Sequence, residues 1–456
     1  MLGQNFSLSS EENCNEYNML RLTQLLFNIQ PKAEYAEYLE RTLFNHILPA
    51  QDARNGRVCY FLPLRPGASR APESLYDDFT CCVCSGFDSY SRNSGYIYSH
   101  GADGLYVNLF VASEVNWKEK GLVLRQETKF PDEDTATFRF RLRQPARFSL
   151  YLRYPAWAAE GITVQVNGAA QNPAAAPGEF FALDRQWRDG DAVVFKAPLA
   201  LRCETMPDNQ DRVALFAGPI LLAGNLGPKV TPASEDPDYI PLLVPGARPV
   251  SQWLEMTGAP LTFKTTVARP RQIVVRPFFR LQDCSYAVYW DRVTPAGWEA
   301  HVNDANKLRV RAQEMETRTV DKILAGDSAS ETAHHLEGAS QSLTGRGNRG
   351  LAMHLTWRQG KEGQSFAYQM KVLPDEPVVV RCHYLAEAYP DDDFDIQVDG
   401  TTIAHEKTRD FTDDATAEYP VPPEITKGKD AIRVVIRATA GGTSAKLAEL
   451  RVLKNR

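Results

Sequence analysis

The residue types best able to do chemistry in this 456-residue chain are Glu12, Cys14 and the adjacent pair Cys81-Cys82, which together offer three sulfurs and one carboxylate. Zinc takes four tetrahedral ligands drawn from thiolate, imidazole and carboxylate, so this set suffices for one ion. A metal-bound thiol is deprotonated, which makes it a nucleophile. Without its surroundings the cysteine pair reads more often as reduced, partly buried thiols. Glu12 alone reads as an exposed first-turn acid favoured by the helix dipole.

Eight cysteines are too few for a disulfide scaffold in a chain this long. Cys14, Cys59, Cys81, Cys82 and Cys84 fall early, and such clustering points to metal or redox chemistry. Cys203, Cys284 and Cys382 are expected as buried small hydrophobes. With 43% hydrophobic and 24% charged residues, the composition is that of an ordinary globular protein, and the length suggests two to four domains. A net charge of -6 argues against nucleic acid as a partner. The best apolar stretch, residues 213–224, is interrupted by Gly218 and Pro219, so no membrane span is expected. The opening segment lacks the basic start and apolar core of a signal peptide. The expectation is a cytoplasmic protein by default, periplasmic if a signal lies upstream.

The elements that must position the cluster are helical. From residue 12 to about 46 apolar residues recur at helical spacing, with Tyr17, Leu20, Leu25 and Leu26, then Tyr35, Tyr38, Leu39, Leu43 and Ile47. Pro31 separates two helices, Ser9 and Ser10 resemble a capping start, and Pro49 marks a stop. A short strand-like run over residues 58–62 leads toward Cys81. After about Tyr106 the chain turns β-rich. Asn167-Gly168 and Asp189-Gly190 are hairpin signals, and a β-sandwich is expected over 108–225. Residues 226–306 read as a connection with β elements packed on that sandwich. Residues 307–456 read as a C-terminal β-sandwich-like domain with a tight turn at Asp399-Gly400. No fixed-period repeat is present.

Four stretches carry a resemblance: Glu12-Asn13-Cys14-Asn15-Glu16-Tyr17, Tyr38-Leu39-Glu40-Arg41-Thr42-Leu43-Phe44-Asn45, Tyr60-Phe61-Leu62-Pro63-Leu64 and Phe79-Thr80-Cys81-Cys82. In order and spacing they are similar to glycoside hydrolase families 127 and 146, the β-L-arabinofuranosidases. Arg153-Tyr154-Pro155-Ala156-Trp157 and Val288-Tyr289-Trp290-Asp291 extend the likeness along most of the chain. The resemblance implies a multidomain α + β fold in which residues 1–107 are the C-terminal portion of an (α/α)6 catalytic barrel, followed by β-sandwich domains.

It also implies Zn2+ held by Glu12, Cys14, Cys81 and Cys82, with Cys81 as the nucleophile of a retaining cleavage and Glu40 and Tyr60 as sugar contacts. The implied partner is an L-arabinofuranose-containing glycan. The family's acid/base glutamate lies upstream of the Glu-x-Cys motif, so a complementing barrel half or a second copy is the implied protein partner. Cys84 stands where the family commonly has a small residue, and Asp88 where it often has glutamate. The rival reading is a non-catalytic, zinc-stabilised glycan-binding module or a truncated remnant. His46 and His100 are expected as structural histidines. The run Asp391-Asp392-Asp393 with Asp395 lacks a calcium-loop pattern and reads as a solvated turn.

Overall fold

A computed structural model describes residues 6, 10–74, 76–102, 104–229, 236–343, 356–385, 392–407 and 415–455. Ser9 and Asp391 lie outside these residues. The chain forms two compact units, one holding the described residues up to 229 together with 238–301, the other 236–237, 302–343 and the described residues from 356 onward.

In the first unit, helix α1 (Asn13–Ile29) buries Tyr17, Leu20, Thr23 and Phe27, a stripe at helical spacing. Leu25 and Leu26, which share the apolar repeat in the sequence, lie on the opposite side with Leu22 and Ile29, and Ile29 is 81% exposed. Helix α2 (Ala33–Thr42) follows Pro31 and runs into a π turn, Leu43–Ile47. That turn is closed by the Leu48 N–H on the Leu43 carbonyl at 3.0 Å, just before Pro49. Leu20, Leu39, Leu43, Ile47, Tyr96 and Leu109 form the core these helices share.

Helix α3 (Cys81–Arg92) starts at Thr80, whose hydroxyl accepts the Val83 N–H at 3.4 Å, an N-cap. Asp88 joins α3 to α1 by accepting from the Tyr17 hydroxyl, and Arg92 donates to the same carboxylate. The run over residues 58–62 makes isolated bridges, Gln51↔Val58, Cys59↔Pro72 and Glu12↔Phe61, in place of a sheet ladder.

Two sheets then form a β-sandwich. One has four strands, Tyr98–His100, Gly104–Val107, Ala146–Tyr154 and Glu179–Trp187; the other has six, from Ser113–Trp117 to Ala192–Lys196. Their inner faces meet in a core containing Trp117, Phe138, Phe140, Phe148 and Trp187. Asn167 and Gly168, both at positive φ, make the expected hairpin between Thr163–Val166 and Ala169–Gln171. At Asp189-Gly190 the chain instead crosses from the four-stranded to the six-stranded sheet. Turn residues signal the change of direction but do not name the strand paired afterwards.

Residues 201–225, expected in the sandwich, belong with residues 226–228 to a separate eight-stranded sheet completed by strands between Leu254 and Asp291. The alternation of these strands fits either sheet, and pairing with residues far along the chain decides. Helix α4 (Pro295–Arg318) was expected as connection and strand. It buries only Ala305, so it has no apolar stripe for periodicity to detect.

The second unit is β-sandwich-like. A six-stranded sheet centred on Lys446–Lys454 and a five-stranded sheet centred on Ala431–Ala438 enclose a core that includes Phe366, Tyr368, Cys382 and Phe394. Asp399-Gly400 makes the tight turn between Asp393–Val398 and Thr401–Lys407. Among the described residues no helix is long and apolar enough to cross a membrane.

Gly86 lets α3 lie against residue 58, because a Cβ there would stand 2.5 Å from Val58 Cγ2. Helix propensity alone makes Gly86→Ala stabilising by about 1 kcal/mol. Valine is stiff at χ1, and overpacking costs about 1–3 kcal/mol. Urea denaturation should therefore show Gly86→Ala to be net destabilising; a more stable variant would mean that α3 is not clamped at this contact.

Candidate metal centre

Two helix starts and one extended segment build the site. Glu12 stands just ahead of α1 with extended backbone, and its side chain makes no capping bond, which leaves the carboxylate available. Cys14 lies in the first turn of α1, and Cys81 and Cys82 open α3. Residues 60–62 pin the two starts together. The Asn13 N–H donates to the Tyr60 carbonyl at 3.0 Å, and the Leu62 N–H to the Glu11 carbonyl at 3.1 Å.

The result is a tight group. The ligand atoms of Glu12, Cys14, Cys81 and Cys82 lie within 4.8 Å of one another. Cys82 Sγ is 3.3 Å from Cys14 Sγ, and Cys81 Sγ is 3.8 Å from Glu12 Oε1. A tetrahedral zinc with bonds of about 2.3 Å sets its sulfurs about 3.8 Å apart, so the donor set fits such an ion in both type and spacing.

Electrostatics give the same reading. Burial pushes the Cys14 and Cys82 thiols up; Cys81 adds to the rise at both, while the Ser85 hydroxyl, 3.2 Å from Cys14 Sγ, and the hydrogen bond with Cys82 oppose it for Cys14. Three soft donors crowded in this way exchange protons for a divalent cation when one binds.

Within the group, Cys82 is buried and Cys81 is exposed, so Cys81 presents the accessible sulfur. The Cys81 thiol donates to the Tyr60 hydroxyl oxygen at 3.7 Å. That hydrogen bond, helped by burial, holds the phenol well above its ordinary pKa, so Tyr60 stays protonated. Cys84 is exposed on α3 and outside the group of four. Asp88 acts as the staple between α1 and α3.

Glu40 is the departure from expectation. The structure does not bring it to an accessible surface: it is 1% exposed, with Oε1 2.7 Å from Arg153 Nη2 and Oε2 accepting from Trp157 Nε1 at 2.7 Å. Arg153 is itself fully buried and also pairs with Glu37. An ion that leaves water needs such partners; Oε1, although beside Arg153, makes no hydrogen bond among the described residues, and at 1% exposure Glu40 presents no open face. The motif containing Arg153 and Trp157 was visible in the sequence, but its partner was not. Ser85, one helical turn after Cys81 and Cys82, could have been found from helical spacing alone.

Residues 4–94 match the family described as "Beta-L-arabinofuranosidase, GH127 catalytic domain", and residues 104–199 match "Beta-L-arabinofuranosidase, GH127 middle domain". Residues 314–453 match a family of unknown function, DUF6805. A protein of Bifidobacterium longum subsp. longum named non-reducing end beta-L-arabinofuranosidase is 28% identical over 176 residues, covering 34% of this chain and 26% of its own length. A solved structure described as a GH127 beta-arabinofuranosidase superposes with a TM-score of 0.51 at 21% identity, over 62% of this chain and 50% of the other. Another, described as a glycoside hydrolase, gives 0.50 at 20% identity, over 62% and 52%. The chain thus spans about half the length of these solved structures and about a quarter of the curated relative. At these identities the structural likeness speaks for the fold.

Glu40→Gln leaves Arg153 short of charge in a dry site, and breaking a buried pair costs about 3–5 kcal/mol. The variant should unfold at clearly lower urea concentration while keeping its metal content. Unchanged stability combined with weakened sugar binding would return Glu40 to the substrate.

Proposed function

The chain belongs to glycoside hydrolase family 127, and from that membership we propose that it carries the zinc–cysteine half of a retaining β-L-arabinofuranosidase site. The observation that carries this reading is the gathering of Glu12, Cys14, Cys81 and Cys82 within 4.8 Å, with Cys81 the exposed member. Zinc bound by these four residues would supply a sulfur ionised at neutral pH.

The chain's own groups define the rest. Cys81 Sγ attacks the anomeric carbon of an L-arabinofuranoside, forming a C–S bond as the C–O bond to the leaving group breaks. Once that sulfur is ionised, the Tyr60 hydroxyl, 3.7 Å away, turns its O–H to it and steadies its lone pairs for in-line approach. Ser85 and the backbone around Tyr60 hold Cys14 and Cys82 in place. A separate acid must protonate the departing oxygen and later take a proton from the water that releases the sugar. Among the described residues the polar side chains on Cys81 Sγ are Glu12 and Tyr60, and Glu12 is committed to the metal.

We read α1–α3, within residues 1–107, as part of an (α/α)6 barrel. The apolar side chains left exposed on α1, and on α3 at Phe87, which is 74% exposed, support that reading, since such surfaces ordinarily meet other elements. The same exposed faces, and the lack of a second acid at Cys81 among the described residues, favour one rival, a zinc-stabilised glycan-binding module without turnover.

A substrate with an activated leaving group separates the two readings. Acid catalysis is worth roughly 10²- to 10⁴-fold and matters least when the leaving group is a weak base. The chain should release para-nitrophenol from para-nitrophenyl β-L-arabinofuranoside but turn over an alkyl arabinofuranoside poorly, and Cys81→Ala should abolish both. Turnover that survives Cys81→Ala eliminates the cysteine mechanism, and inactivity on the activated substrate favours the binding module. Elemental analysis should find zinc in the purified chain and a marked loss in Cys82→Ser; zinc-free wild-type material would remove the metal from the proposal.

A further inference from the structure

Of the four residues in the candidate metal centre, Glu12 is the one that stands outside a helix. Cys14, Cys81 and Cys82 are placed by the first turns of α1 and α3, whereas the Glu12 carboxylate goes where the extended segment before α1 sends it. That segment bends at Glu11, whose φ is 48°, a left-handed conformation that residues with a Cβ rarely adopt. Such a conformation persists only where its surroundings hold it, and two contacts do so here. The Glu11 carbonyl accepts the Leu62 N–H at 3.1 Å. Glu11 Oε2 faces His46 Nδ1 at 3.3 Å, and the imidazole holds the Glu11 carboxyl below its ordinary pKa.

His46 is a rigid anchor for that contact. It is buried at 6% exposure, and because a carboxylate only accepts, Nδ1 carries the hydrogen toward Glu11. Nε2 has no hydrogen-bond partner among the described residues, so within them the polar tie of the ring is Glu11. The ring sits in the π turn, a local irregularity frequent at functional sites. Its carbonyl accepts the Ala50 N–H at 2.9 Å. The neighbouring Asn45 fastens the turn to the eight-stranded sheet: its side-chain amide donates to the Pro219 carbonyl at 2.8 Å, and its side-chain oxygen accepts the Leu221 N–H at 2.8 Å. A chain of contacts thus runs from the sheet through Asn45, His46 and Glu11 to the residue beside Glu12. Groups that do not touch an ion orient its ligands in this way, and their loss typically costs about 10- to 100-fold in metal affinity.

We propose that Glu11, held by His46, is a positioning residue for the metal: the pair fixes the left-handed bend that aims the Glu12 carboxylate at the three sulfurs. The inference rests on the metal-binding reading above. Zinc affinity of the full chain, measured by competition with a chromophoric chelator, and the absorption spectrum of the chain loaded with Co2+ test it. Glu11→Ala should bind Zn2+ roughly tenfold or more weakly, and its Co2+ bands should move to those of Glu12→Ala as water replaces the carboxylate. In the double variant the two losses should not add. Glu11→Gln, which still accepts from Nδ1–H, should keep near-wild-type affinity and spectrum. His46→Leu should reproduce Glu11→Ala, and His46→Asn, whose amide can donate from the place of Nδ1, should restore binding. Thermal unfolding reports whether each variant is folded; should His46→Leu fail to fold, Glu11→Ala decides, since the Glu11 side chain is 39% exposed and its loss leaves the core intact. Wild-type zinc affinity with an unchanged Co2+ spectrum in Glu11→Ala overturns the proposal and leaves the metal reading standing, as does full additivity with Glu12→Ala. A wild-type chain that takes up neither ion overturns the metal reading and this inference with it.

Discussion

The candidate metal centre depends on one constraint, the docking of two helix starts on the same three residues of extended chain. Residues 60–62 satisfy backbone groups on either side of Glu12, while the Tyr60 carbonyl sits 3.7 Å from Cys82 Sγ. Helix starts carry unpaired N–H groups and the positive end of the dipole, a favourable place to gather anionic sulfur. Everything else in the helical segment maintains that docking. The Tyr17–Asp88–Arg92 contacts tie the helices together along their length, and Gly86 removes the side chain that would hold α3 off residue 58.

Much of the centre was legible because its signal is chemical type at close spacing. Glu12, Cys14, Cys81 and Cys82 stand together as the resemblance implies, although 67 positions separate Cys14 from Cys81 along the chain. Tyr60 also reaches the group, its hydroxyl facing Cys81 Sγ. The burial of Glu40 was not legible, because a carboxylate in a matching motif does not reveal what will pair with it. Its partners come from the sandwich, over a hundred residues later, and a single sequence carries no local trace of such a contact.

The fold was legible on similar terms. β character, the Asn167-Gly168 and Asp399-Gly400 turns and the Pro31 break are local matters of dihedral preference. The assignment of residues 201–228 to one sheet or another is not local, since alternation fixes which side of a strand is buried but not its neighbour. Helix α1 illustrates a related limit. Apolar on two faces, it gives periodicity no means of telling the packed side from the open one, and only the partners Tyr96 and Leu109 resolve it. His46 shows the converse, a residue expected as a satisfied structural histidine whose Nε2 has no hydrogen-bond partner among the described residues.

The Glu40–Arg153–Trp157 contact also bears on when the protein can become itself. Contacts between positions so distant in the chain close late and slow folding, and domains emerge from the ribosome N-terminal end first. Until residue 157 has been made, α2 carries a carboxylate with no counterion, and the helices that present the sulfurs lack their support. Vicinal thiols are therefore synthesised well before the scaffold that holds them, and during that interval they are open to the oxidants and stray metals of the nascent chain's surroundings.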